Sequence, residues 1–191
     1  MDYSSINPNN NEIFNHVTIA IVGQWECGKT SLVHAYLRDR AHLCRMQVIA
    51  YPPSCVFIYR FIQHDTEMTI LDVNGLEAIV WFGRLLSHYS HAVLLCYNVD
   101  DRNSMFYLHA VFREMRRVEF DMVSVHFILV GTKRDLRQSG MPGITFEEGE
   151  DVKHDLKFSM FFECSSLDTS SVDRVFNHVI GLVLGYVDAQ D

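Results

Sequence analysis

The stretch Gly23-Gln24-Trp25-Glu26-Cys27-Gly28-Lys29-Thr30 constrains this chain more than any other. It has the form G-x-x-x-x-G-K-[ST], a loop whose backbone N–H groups cradle phosphate oxygens at the start of a helix. The context required is present: the apolar run 16–22 precedes the loop and the helix-prone run 31–37 follows it. Gly23 and Gly28 permit close backbone approach. The N–H groups of Trp25, Glu26, Cys27 and Ser31 belong to the same cradle. Lys29 is placed to reach terminal phosphates, and the Thr30 hydroxyl to bind Mg²⁺. With glycine near 7% of residues, a chance match in a chain of this length is on the order of one in a hundred. A strand–loop–helix setting lowers it further, so the loop reads as a nucleotide site.

Such a loop belongs to an α/β sheet, and the rest of the chain alternates accordingly. Residues 1–14 form a polar leader with nothing to bury, expected to be disordered. Strands are expected over 17–22, 56–63, 67–71, 92–99, 125–131 and 158–164, the second and third joined as a hairpin through 64–66. Helices are expected from the loop to Ala41, through 76–86 after a loop, from a cap at 101–104 to Arg117, from Thr145 to Leu156, and from a cap at Ser170 and Asp173 onward. Thr145 and Glu148 have capping-box spacing. Residues 42–56, with Pro52-Pro53, read as a loop. The run Ala92-Val93-Leu94-Leu95-Cys96-Tyr97 suits a strand buried on both faces of a parallel sheet. The expected fold is a doubly wound, mostly parallel six-stranded sheet with helices on both faces and one antiparallel edge hairpin. One domain is expected over 15–191, with ligand at the carboxyl ends of the strands.

Composition narrows the partners. A net charge of −8 argues against nucleic acid or an anionic membrane, either of which needs a basic face. Five cysteines without a C-x-x-C pair suit a reducing compartment, so a cytoplasmic location is expected, with any membrane association through a partner or an additional tail. Neither signal peptide, membrane span nor lipidation motif is expected from this sequence. The ten histidines show no metal-binding spacing, and Cys96 and Cys164 read as buried residues. Gly181 and Gly185 match G-x-x-x-G, but His178 and the short apolar span indicate the end of a soluble helix.

Three further elements follow strands. Asp72-Val73-Asn74-Gly75 ends the third strand; its carboxylate is placed to hold Mg²⁺, directly or through water, and the Gly75 N–H to approach a γ-phosphate. Thr132-Lys133-Arg134-Asp135 follows the fifth; an Asp accepting from guanine N1 and N2 selects GTP over ATP. Glu163-Cys164-Ser165-Ser166 follows the sixth, able to offer a backbone N–H to guanine O6. Together these resemble the Ras-superfamily small GTPases over residues 17–187, and the wording of 130–137, 146–150 and 163–166 is similar to Rho and Rab proteins. The resemblance implies a divergent Rho/Rab-like GTP-binding switch. It implies GTP or GDP with Mg²⁺ on Thr30, Asp72 and Ser54, the last in a switch I-like Tyr51-Pro52-Pro53-Ser54. Effectors and exchange factors would bind through 42–56 and 73–86.

Departures from the family are equally specific. Leu76 stands where the family has the Gln that orients the attacking water. Trp25 stands where most relatives have Gly and crowds the space an arginine finger enters. Both imply slow hydrolysis, with Asn74 or Gln24 as rival water-positioning side chains. Thr132 replaces the usual Asn. The position of the aromatic that covers guanine is Ala41, with His42 as substitute. Ile79, Val80, Trp81, Phe82 and Leu85 are too many to face inward together, which implies an exposed apolar patch. The rival functions are a non-catalytic interaction module and a P-loop kinase; T-K-x-D and C-S-S count against the kinase.

Overall fold

The computed structural model describes residues 15–40, 44–51, 54–63, 66–74, 76–118, 123–137 and 143–186. Seven strands run β1 (Asn15–Gly23), β2 (Arg45–Tyr51), β3 (Ser54–Gln63), β4 (Thr66–Asn74), β5 (Ala92–Asn98), β6 (His126–Thr132) and β7 (Met160–Glu163). The helices are α1 (Lys29–Leu37), α2 (Leu76–Tyr89), α3 (Arg102–Arg117), α4 (Phe146–Leu156) and α5 (Thr169–Val183). The strands form one sheet in the order β2-β3-β4-β1-β5-β6-β7. β4, β1, β5, β6 and β7 are parallel, and β3 pairs antiparallel with both β2 and β4.

Alternation along β1 builds two cores. Val17, Ile19 and Ile21 face a cluster with Leu32 and Tyr36 of α1 and Val175 and Phe176 of α5. Ala20 and Val22 face the opposite cluster, with Ile79 of α2 and Leu108, Val111 and Phe112 of α3. Each fully buried Leu, Ile or Phe contributes about 1.5–3 kcal/mol, so a sheet covered on both faces requires the continuous apolar runs seen in β1 and β5. Tyr36 stacks on Phe176 with ring centroids 3.9 Å apart, which locks α1 against α5.

Among the described residues the strand count is seven rather than the expected six. Residues 45–51, expected in a loop, are β2, paired with β3 from Arg45↔Arg60 to Tyr51↔Ser54. Arg45, Met46, Gln47 and Val48 are all exposed, so among the described side chains of this edge strand no buried face imposes a pattern, and pairing with β3 sets it. The expected antiparallel pair of 56–63 with 67–71 is present as β3–β4, and β2 adds a further antiparallel strand outside it, so β4 lies inside the sheet. Thr66, expected in the turn, pairs with Gln63. α1 stops at Leu37, four residues early, because Arg38–Arg40 turn away from the helix. α2 begins directly at Leu76 without an intervening described loop residue. α5 is capped by Asp168, whose carboxylate accepts from Ser171 N; Ser170 lies one residue inside the helix. The last strand is shorter than 158–164, since Phe158 N closes α4 by bonding Lys153 O. The capping box at Thr145 and Glu148 and the Asp101 cap of α3 are both present. The 1–14 leader lies outside the described residues. No helix among the described residues is long and apolar enough to cross a membrane.

Candidate functional site

The carboxyl ends of β1, β4, β6 and β7 carry the expected segments to one rim of the sheet. β1 ends at Gly23, where an added Cβ would lie 2.2 Å from Cys96 O, so only glycine lets β1 and β5 stay paired there. The chain then turns through Cys27 N to Gln24 O (3.3 Å) and enters α1 from Gly28, at φ 105°. Glu26, at φ 60°, shares the left-handed region. Such a turn leaves successive N–H groups available to an anion at the start of α1. Lys29 is buried and its Nζ donates to Gly23 O (2.9 Å) and Gln24 O (2.7 Å), which folds the ammonium over the loop. Cys27 is buried, its Sγ donating to Cys96 O at 3.4 Å; desolvation pushes its thiol pKa up despite Lys29. It is a packed residue, not a thiolate. Ser31 is exposed on α1, and Trp25 is 55% exposed at the loop tip.

Beside the loop, Asp72 is fully buried in β4 and its Oδ2 accepts from Thr30 Oγ1 at 2.5 Å. Its Oδ1 is buried with no hydrogen-bond partner. Burial pushes the carboxyl pKa up, opposed by the Thr30 hydroxyl, Lys29 and His34. An unpartnered carboxylate oxygen next to a hydroxyl is the donor chemistry of a small hard cation, so these residues fit Mg²⁺. Gly75 lies outside the described residues, as do the side chain of Ser54 and residues 41–43, which include Ala41 and His42. Leu76 opens α2, half-buried and packed against the α2–α3 core. Ile79 is buried and Val80 is 42% exposed; the side chains of Trp81, Phe82 and Leu85 lie outside the described residues.

On the other flank, Thr132 ends β6 and its hydroxyl meets the carbonyl oxygens of Cys27 and Tyr97 (2.8 Å to the latter). Gly28 eases this closure, since a Cβ there would crowd Thr132 at 3.2 Å from Oγ1 and 3.3 Å from Cβ. Lys133 adopts φ 56°, and a 3-10 turn over Arg134–Leu136 follows. Asp135 is exposed, with its Oδ1 accepting from the Ser165 hydroxyl. Ser165 N–H is taken by Ser171 Oγ at 3.1 Å, which leaves Ser166 on the open side. A cavity of about 200 Å³ joins these parts. Gly28, Ser31, Thr132, Lys133, Asp135 and Ser166 line it, with Leu32, Leu136, Cys164 and Leu167 as its apolar wall. One end therefore meets the phosphate loop and the other a carboxylate.

Two residues whose pairing no sequence motif marks stand behind this cavity. Arg137 grips Glu163 with both terminal nitrogens (Nη1 to Oε2 2.6 Å) and also donates to Ile144 O at 2.7 Å. They are 26 residues apart, and no spacing rule links them.

The Ras family model matches residues 18–184. The chain is 24% identical over 178 residues to the Rho-related GTP-binding protein RhoF of Bos taurus, spanning 87% of this chain and 80% of that protein. It is 26% identical over 165 residues to the Ras-like GTP-binding protein RHO1 of Entamoeba histolytica, spanning 86% and 75%. It is 27% identical over 136 residues to the Ras-related protein RabQ of Dictyostelium discoideum, spanning 66% and 64%. Sheet order, loop geometry and these similarities agree: the chain belongs to the Ras family.

Proposed function

We propose that this protein is a GTP-binding switch that holds its nucleotide and hydrolyses it slowly. The observation that carries the reading is the cavity running from Gly28 and Ser31 to Asp135 and Ser166. A phosphate cradle at one end and a carboxylate at the other match a guanine nucleotide, since adenine lacks the paired N1 and N2 donors. Lys29 and the N–H groups of residues 25–31 neutralise phosphate charge. Thr30, Asp72 and Ser54 are the proposed Mg²⁺ ligands; the ion would screen charge on the β- and γ-phosphates and Gly75 N–H would reach the γ-phosphate. Thr132 and Lys133 hold the loop that presents Asp135, and Ser165 orients that carboxylate.

Hydrolysis needs a side chain that orients water, and Leu76 offers neither donor nor acceptor. Its packing against the apolar core supports a fixed structural role. Trp25, exposed at the loop tip, occupies the approach of an arginine finger. Residues 42–56 and 73–86 are the proposed surfaces for effectors and exchange factors, and one domain over 15–191 is proposed to carry all of this. The same Leu76 packing favours a second reading, a non-catalytic interaction module that keeps one nucleotide. Calorimetric titration of nucleotide-stripped protein with GDP, GTP, ADP and ATP tests the function. Binding of the guanine pair alone is expected, and equal or preferential adenine binding overturns it.

A further inference from the structure

We infer that Arg137 and Glu163 form a positioning pair for base recognition, fixing the Asp135 loop against the Ser165–Ser166 loop. The inference rests on the guanine-nucleotide reading above. Two three-residue stretches, 135–137 and 163–165, lie side by side and are tied at both ends. At one end the Ser165 hydroxyl donates to Asp135 Oδ1. At the other, the Arg137 guanidinium grips both oxygens of Glu163. Just before Asp135, Arg134 N also donates to Cys164 O at 3.0 Å.

The backbone alone holds this loop weakly. Beyond the left-handed Lys133 it has a single 3-10 turn, closed by Leu136 N to Lys133 O (2.9 Å) and Arg137 N to Arg134 O (3.2 Å). Paired hydrogen bonds to a base tolerate little displacement of the acceptor. Glu163 supplies the fixed point. It is 5% exposed, in β7, and in register with Gly131 of β6. The same guanidinium also holds Ile144 O, on the far side of residues 138–142.

With Glu163 buried and the Arg137 side chain 30% exposed, this ion pair is a poor device for stability alone, because desolvating the carboxylate offsets much of the attraction. What the fork of an arginine on a carboxylate adds is direction. The ion pairs Arg102–Glu148 and Arg134–Asp168 contrast with it: both partners of each are well exposed.

The test compares GDP with inosine diphosphate, which lacks the 2-amino group that Asp135 would read. The purified full chain is expected to prefer GDP by about tenfold or more. Arg137→Lys keeps the charge but loses the fork, and Glu163→Gln keeps the shape but loses the charge. In each, the preference is expected to fall to about threefold or less, through weaker GDP binding with the inosine affinity little changed. Arg102→Lys, which alters an ion pair away from the cavity, is expected to keep the wild-type ratio. Melting temperatures measured alongside separate positioning from bulk stability. If Glu163→Gln fails to fold, Arg137→Lys decides alone. Wild-type protein that binds no GDP overturns both this inference and the guanine reading. Wild-type protein that prefers GDP, with ratios unchanged in the variants, overturns this inference only.

Discussion

Replacing Asp72 by asparagine is expected to move the ligand-free and magnesium-loaded proteins in opposite directions. The wild-type carboxylate is fully buried, accepts one hydrogen bond from Thr30 at 2.5 Å, and keeps Oδ1 unpartnered. Burial raises its pKa, so the folded chain disfavours the charge. Asparagine preserves the volume and the acceptor for Thr30, and exchanges a charged unpartnered oxygen for a neutral amide. Lys29 loses a favourable neighbour, which offsets part of the gain. The balance is about 1 kcal/mol in favour of the variant, roughly 2–4 °C in melting temperature for a chain of this size. With Mg²⁺ and GDP the sign reverses. Losing a charged group at a metal costs about 10–100-fold in affinity, or roughly 1.4–2.8 kcal/mol. That removes roughly 3–11 °C of the stabilisation that the ligand confers. Thermal unfolding of nucleotide-stripped protein with a chelator, and again with Mg²⁺ and GDP, measures both. A variant that melts lower in the chelator while retaining the full Mg²⁺-dependent shift would show that Asp72 is neither a strained carboxylate nor a metal ligand.

Three other perturbations probe separate parts of the molecule. Leu76→Gln combined with Trp25→Gly is expected to raise single-turnover GTP hydrolysis by about tenfold or more; an unchanged rate means that neither residue limits the step. Thr132→Val keeps the shape but leaves the carbonyls of Cys27 and Tyr97 without the hydroxyl, costing about 1–3 kcal/mol. It should weaken GDP binding as well as lower the melting temperature. His91, whose Nδ1 accepts from Thr18 N at 2.9 Å, has its pKa lowered by burial and by His16. The unfolded chain therefore protonates first: this stability is present above about pH 6.5 and is lost as pH falls through the lower folded value. His91→Asn, whose amide oxygen can take the Thr18 N–H, should flatten the fall in melting temperature below about pH 6.5.

What the sequence revealed followed how local its physics is. β1 and the phosphate loop were legible because one apolar period and two glycines act within a dozen residues. The convergence of Asp135 and Ser166 on one cavity was legible at the level of topology, since both follow parallel strands whose carboxyl ends share a rim. β2 was not, because four exposed residues of an edge strand carry no burial pattern. The start of α5 was displaced because Asp168, Ser170 and Asp173 are all competent caps. Tertiary structure chooses Asp168, which also pairs with Arg134 at 2.9 Å. The pairing of Arg137 with Glu163 was silent for the same reason: only β6–β7 register brings them together.

Slow turnover of a bound guanine nucleotide is tested most directly by chromatography of the nucleotide released when the freshly purified, untreated full chain is denatured. A site that binds guanine nucleotide and turns it over slowly predicts GTP as the main species. An adenine nucleotide or an empty site would contradict the guanine assignment, and GDP alone would contradict slow hydrolysis.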